Sequence, residues 1–368
     1  MPRKFSKWLR DKLANKPATT TIDPATGFPA GMPVLLAQRP RPLTPSTTTN
    51  TAAAAATADS PFFQRLPAEL RRHVLTLAFG ARTLHMDLEF RPPSSPRAGA
   101  HCDLDERARN AAALSKHARW HWWGSACHRV PVQHQGGVLA DGLWRDACRH
   151  GIAACEQWAG AHPARCQVGA MGWLRACRRA YREGVEVLYA TNVLHASGLP
   201  LLMNLSRLLL PQALGMVTAV EMVWDICDRR SGEAWRLPMA EREVFRALVR
   251  GVPEALPNLV KLSLSVWGHG MCVGERPRRE AVDEVEREFI EPLDTMVLEL
   301  VELRLRACTV EVPESLFLAL NEKERGCEAI LGLDEVFWRS LSVKGHGQKG
   351  YWIKFGIRDT QRLTCVAF

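Results

Sequence analysis

At 368 residues, with 46% hydrophobic and 24% charged side chains, the chain has globular composition and enough length for one large domain or two ordinary ones. The formal net charge of +9 is uneven: residues 1–60 carry eight cations against three acids, which puts +5 in the tail and leaves +4 for residues 61–368. A nearly balanced body gives no ground for a nucleic-acid partner, and no run approaches the roughly 20 apolar residues of a membrane-crossing helix.

The first segment, "MPRKFSKWLRDKLANKP", places Phe5, Trp8, Leu9 and Leu13 at helical spacing among cations. A short basic amphipathic helix of this kind suits peripheral contact of residues 1–17 with an anionic membrane, or a partner groove. A solvated, unordered end and a presequence are the alternatives. Beyond Pro17 the chain is rich in Thr, Pro and Ala, a composition that buries too little apolar area to offset ordering entropy. Residues 1–60 are therefore read as a disordered basic tail and linker.

"FFQRLPAELRRHVLTLAFG", Phe62 to Gly80, is the first folded stretch. Pro67 fits a helix start, Leu70, Val74, Leu77 and Ala78 recur on one face, and Gly80 supplies the stop. Arg71 and Arg72 are placed on the other side, and Leu75 and Phe79 widen the apolar surface. Then Leu84, Met86, Leu88 and Phe90 alternate with His85, Asp87 and Glu89, which is a strand pattern.

Leu66-Pro67-Ala68-Glu69-Leu70, followed by Val74 and Leu77, resembles the start of an F-box. The resemblance implies a helix that docks a Skp-type adaptor of cullin ubiquitin ligases, with Leu66, Pro67, Leu70 and Val74 as the partner-binding residues. A standard F-box continues into two more helices, whereas here a strand pattern follows.

Residues 91–170 read as an irregular insert holding seven of the 12 His and five of the 12 Trp. Cys102, Cys127, Cys148, Cys155 and Cys166 lie among them, but no repeated pair has zinc-ligand spacing, so no metal is assigned. Trp120, Trp122, Trp123, Trp144 and Trp158 are expected to pack onto the body.

In "GWLRACRRAYREGVEVLYATNVLHASG" the residues Leu174, Cys177, Tyr181, Val185 and Leu188 form a helical stripe, with Arg175, Arg178, Arg179 and Arg182 on the solvent side. Asn192 suits a turn. The run Leu174 to Glu183, then Leu188-Tyr189-Ala190-Thr191-Asn192, resembles a family of uncharacterised fungal proteins. In that family an F-box-like "LPxELR" helix is followed, after a variable insert, by "LxxCRxxYxE" and "LYxxN". The resemblance spans about Phe62–Trp267 and implies a shared fold without an assigned reaction.

Farther on, Val220/Met222/Trp224, Leu262/Leu264/Val266 and Val301/Leu303/Leu305 each alternate with mostly polar residues, spaced 42 and 41 residues apart. Helix-like segments, Met239–Gly251 and Arg279–Leu293, lie between them. This predicts parallel strands joined by helices over residues 206–368, an irregular leucine-rich-repeat-like region. "GHGQKG", Gly345 to Gly350, satisfies Gly-x-Gly-x-x-Gly, but strand patterns flank it on both sides, so a hairpin turn is expected rather than a nucleotide site.

The fold class expected is α+β: an F-box-like helical start over residues 61–205, interrupted by the insert, then the strand–helix region. Eleven scattered Cys with no Cys-x-x-Cys pair, in a chain with no apolar signal peptide, suggest reduced thiols and an intracellular, cytoplasmic or nuclear, location. No catalytic constellation and no cofactor site emerges. The reading is therefore a non-enzymatic protein-interaction module, an F-box-like adaptor holding an unknown protein substrate. Its alternative is a structural domain whose pseudo-F-box helix is buried and binds no adaptor. An unrecognised enzyme or a metal protein built on the insert is a third reading.

Overall fold

The structure, a computed structural model, describes residues 22–24, 26–36, 60–91, 119–127, 167–196, 198–226, 239–268, 279–325, 336–341 and 349–356. A small antiparallel pair, β1 (Ile22–Asp23) and β2 (Phe28–Pro29), precedes the main sheet. That sheet is built from β3 (Thr83–Arg91), β4 (Arg119–Ala126), β5 (Val193–Ala196), β6 (Ala219–Ile226), β7 (Lys261–Gly268), β8 (Ala307–Val312), β9 (Val336–Leu341) and β10 (Lys349–Phe355). Its order among the described residues is β4-β3-β5-β6-β7-β8-β10-β9. The six inner strands are parallel neighbours, and β4 and β9 close the two edges antiparallel.

The helices are α1 (Pro61–Arg65), α2 (Ala68–Phe79), α3 (Ala170–Leu174), α4 (Arg178–Ala190), α5 (Leu199–Met203), α6 (Leu205–Leu208) and α7 (Pro211–Leu214), then α8 (Met239–Ala255), α9 (Arg279–Val285), α10 (Glu291–Leu303) and α11 (Glu314–Arg325). A π-helical turn, Glu286–Ile290, joins α9 to α10. Helices and strands are thus mixed around a mixed sheet, as an α+β reading expects. Among the described residues no helix is long and apolar enough to cross a membrane.

Register separates the two faces of the sheet. Ala196, Met222, Leu264, Val310, Ile353 and Phe337 stand side by side across five neighbouring pairings, and all are buried. They belong to one large core, which α5, α8, α10 and α11 join from that side. Trp224 against Phe245 (5.3 Å) and Phe317 against Phe337 (5.4 Å) join helices to strands, and Phe245 against Phe289 (4.8 Å) joins α8 to the π-helical turn. Because side chains alternate along a strand, the residues one register position away form a row on the opposite face. It runs Ser125, His85, His195, Glu221, Ser263, Thr309, Trp352, Trp338.

Several expectations need correction. Val301, Leu303 and Leu305 do not form a strand: Val301 and Leu303 end α10, and Leu305 is buried in the turn that follows. The helical spacing of Leu293, Met296, Val297 and Leu300, all buried, overrides the local alternation, and the strand starts at Ala307. Val310 rather than Leu305 therefore pairs with Leu264, 46 residues on, against 42 between Met222 and Leu264. The helix begun at Met239 continues through Gly251 and Pro253 to Ala255. The linker reading fails at residues 26–36: Met32 is buried, Phe28 and Val34 pack against the core, and Leu35 N–H donates to the Arg207 carbonyl at 2.7 Å. Three apolar residues suffice there, although the average composition conceals them. Residues 1–17 lie outside the described residues.

The insert is not wholly irregular. Its "RWHWWGSA" run forms the edge strand β4, paired with β3 from Leu84 to Arg91, and Trp120 packs against Phe90 (5.2 Å) while its Nε1–H donates to the Pro29 carbonyl. Trp122 stays 45% exposed. Trp144 and Trp158 lie outside the described residues. At the other end β9 and β10 are antiparallel, with Leu341 opposite Lys349, so a strand rather than a helix follows the glycine run. The hairpin is tied to α10 through Asp294, whose carboxylate accepts from Arg339 Nε and Nη2 and from Tyr351 Oη at 2.8 Å.

Candidate docking helix and its anchor

The sequence Leu66-Pro67-Ala68-Glu69-Leu70-Arg71 turns a corner. α1 ends at Arg65, Leu66 and Pro67 are extended, and α2 starts at Ala68 with Pro67 in the cap position. Proline there loses nothing, because the first N–H groups of a helix have no internal partner. Gly80 ends the helix, and the reason is space: a Cβ would lie 2.6 Å from Thr191 Oγ1 and 2.8 Å from Thr76 Cα.

α2 shows two faces, one buried and one open. Arg71, Leu75 and Phe79, spaced four apart, face inward. Leu75 and Phe79 form a small cluster with Ala170 and Val187, against which Trp173, Leu174 and Leu188 pack. This cluster is distinct from the main core. Leu70 (52% exposed), Val74 (43%) and Leu77 (66%) face outward. Of the four residues assigned to partner binding, Pro67, Leu70 and Val74 are exposed and Leu66 is half-buried.

The burial of Arg71 has an electrostatic cause. Arg71 is buried because it has somewhere to put its charge: Nε and Nη2 donate to the two Glu183 carboxylate oxygens at 2.9 and 2.7 Å, and Nη1 donates to the Leu66 carbonyl at 2.6 Å. A bidentate, charge-assisted pair is the strong form of such a contact. Arg179 adds a bond to Glu183 at 3.2 Å and stacks over Phe63. Burial acts to raise the Glu183 pKa, but the hydrogen bonds and charges of Arg71 and Arg179 outweigh it and hold the carboxyl below its ordinary value. A carboxyl depressed on folding stabilises the chain fully above its unfolded pKa, about 4.3, and loses that contribution as pH falls through the folded value. The stability gap between wild type and Glu183→Gln, measured by urea unfolding, is therefore expected to be full at pH 6–7 and to close in acid. A gap that stays constant below about pH 3 would contradict this.

The second helical segment is also divided differently from the single expected stripe. α3 ends at Leu174, and α4 begins at Arg178 with Cys177 as its cap, Sγ accepting from the Ala180 N–H at 3.3 Å. Ala180, Gly184 and Val187 are the buried positions of α4, so the contact face is offset from Tyr181 and Val185. Gly184 lets α3 close on α4: a Cβ there would lie 2.6 Å from Trp173 Cδ1. Asn192 is more than a turn residue. Its Oδ1 accepts from Arg82 N–H, and its Nδ2 donates to the Phe79 and Leu188 carbonyls, all at 2.9 Å. One buried amide thus ties the ends of α2 and α4 together. Arg72 and Glu186 form a second bridge between the helices at the surface.

The model of one family matches residues 55–243 and so takes in α1, α2, the insert, α3, α4 and the strands β3 to β6. The chain belongs to the family DUF7730, a domain of unknown function. Comparison with curated proteins and with solved structures gave no match. Within the DUF7730 region, the last residue of "LPAELR", Arg71, bonds the last residue of "LRACRRAYRE", Glu183, and the Asn of "LYATN" secures both helices. Three of the residues that carried the resemblance, Arg71, Glu183 and Asn192, fasten its two separated halves.

Sequence reasoning missed the other polar cluster. His85 and His195 are buried with ring centroids 4.6 Å apart, and His195 Nδ1 lies 3.2 Å from Glu221 Oε2. They come from three strands far apart in the chain, and no local spacing reveals such a row. Among the described residues no group of three or more His, Cys, Asp or Glu could hold a metal ion. Cys127 is half-buried; Cys102, Cys148, Cys155 and Cys166 lie outside the described residues. Cys308 is buried, and burial pushes its thiol up to about 12, which keeps it protonated and unreactive.

Proposed function

We propose that this protein is a non-enzymatic interaction module, an F-box-like adaptor that docks a Skp-type protein through the outward face of α2. The observation that carries the reading is the exposed row Leu70, Val74, Leu77 on a helix whose opposite face is already fastened. A helix that needed only to fill a core would not keep three large apolar side chains in water beside Pro67, since each loses about 1.5–3 kcal/mol of burial by doing so. The strand–helix region beyond α4 then holds an unidentified protein substrate, and the chemistry takes place on the ligase. Such an adaptor works inside the cell, in the cytoplasm or nucleus.

The obstacle raised by the sequence was the strand that follows α2 where further helices were expected. The packing supports the reading on this point, because α3 and α4 lie against α2 from across the insert and supply a helical partner in another chain order. The purely structural reading draws on the buried face of α2 and predicts no adaptor binding.

Titration calorimetry of the full chain against a Skp-type adaptor separates the two. Leu70→Asp/Val74→Asp is expected to weaken binding at least about 100-fold with an unchanged thermal midpoint, since both side chains are exposed in the free chain. A wild type that does not bind, or a variant that binds as well, would end the docking reading.

A further inference from the structure

Resting on that docking reading, we infer that Arg71 and Glu183 are positioning residues: the buried pair sets the geometry in which the Leu66–Pro67 corner and the outward face of α2 are presented to a partner. Three observations converge on it. Arg71 uses all three guanidinium nitrogens, two bonds to Glu183 and one to the Leu66 carbonyl, so the same group holds both the helix and the corner before it. Among the described residues, the backbone hydrogen bonds around that corner, Arg71 N–H to the Pro67 carbonyl and Phe63 and Gln64 N–H to the Ser60 carbonyl, are local. The apolar hold on α2 is small, a cluster of Leu75, Phe79, Ala170 and Val187 apart from the main core.

The chemistry follows from the fork. A planar guanidinium bonds a carboxylate and a carbonyl at once in fixed directions, which an ammonium cannot do. Phe63 lies under Arg179 (4.9 Å) and Arg71 (5.8 Å), and Phe62 and Phe63 pack on Trp173, so α1 is drawn to the same point. Glu183 is therefore the anchor, Arg71 the link, and Leu66–Pro67 the presented corner. A docking surface assembled across an insert needs such a link, because chain continuity does not supply the alignment.

The test compares Arg71→Lys and Glu183→Gln with Arg72→Lys in the full chain. Arg72 forms an exposed pair with Glu186 between the same two helices and serves as a control for lost charge contacts. Two readouts are taken: affinity for a recombinant Skp-type adaptor, and amide hydrogen exchange of residues 62–71 in the free chain. Arg71→Lys and Glu183→Gln are expected to weaken the adaptor about tenfold and to speed exchange in residues 62–71, with β5 to β7 unaffected. Arg72→Lys is expected to stay within about twofold in both. A merely structural pair would lower the thermal midpoint and leave affinity and local exchange as in wild type, and that result overturns the inference. If the wild type does not bind the adaptor, the docking reading fails by itself. The exchange arm then still decides whether Arg71 orders the corner, and unchanged exchange in Arg71→Lys overturns that too.

Discussion

Alanine at Phe245 is expected to remove about 4 kcal/mol of folding stability. Phe245 is fully buried where three elements meet: it projects from α8, faces Trp224 of β6 at 5.3 Å and Phe289 of the π-helical turn at 4.8 Å. The two aromatic neighbours cannot both move into the space, because each is anchored in its own element. The lost transfer energy and the residual cavity therefore add. Set against the roughly 5–15 kcal/mol of a whole domain, the variant should show a large drop in urea midpoint with little change in slope. Phe245→Leu, which keeps most of the volume, is expected to cost under about 2 kcal/mol. Equal losses in the two variants would mean that the ring's shape, not its volume, matters there.

Asn192→Ala is expected to cost about 3 kcal/mol, an unusual amount for a residue in a connecting turn. Its amide makes three hydrogen bonds and is almost wholly buried. Truncation leaves the Phe79 carbonyl and the Arg82 N–H inside the protein with nothing to replace the amide, and the penalty for such orphaned groups exceeds the net worth of the bonds themselves. Asn192→Asp is the sharper probe. It keeps an acceptor for Arg82 N–H but turns an oxygen, not a donor, toward two carbonyls, so it should be at least as damaging as alanine. Thermal unfolding of both variants checks this, and an aspartate variant as stable as wild type would contradict the assigned orientation of the amide.

The helix and strand periods were legible where the apolar spacing was regular: the β3 alternation, the α2 region and the β6 and β7 runs all appear where their residues predict them. What the sequence concealed was direction and partnership. Which face of α2 is buried stayed open in the sequence, because Leu70, Val74 and Leu77 suit a core and a docking surface equally, and the Glu183 that steadies an inward Arg71 lies 112 residues away. The same blindness to distant partners hid His85, His195 and Glu221, which the register alone brings together. At Leu303 the failure was of another kind. A short alternating stretch fits a helix end as well as a strand, and the preceding buried positions at helical spacing decide the matter. In the tail, average composition masked the few apolar residues, Met32 among them, that tie it to the core, whereas Trp120 of the insert packs as its residue type predicts.

The central claim is that α2 faces two ways, fastened inward and open outward. Hydroxyl-radical footprinting of the full chain, alone and with a Skp-type adaptor, reads both faces in one experiment. The account predicts that Leu70, Val74 and Leu77 are oxidised in the free chain and protected by the adaptor, while Leu75 and Phe79 are protected in both. Leu70, Val74 and Leu77 already protected in the free chain, or oxidised equally with the adaptor present, would contradict it.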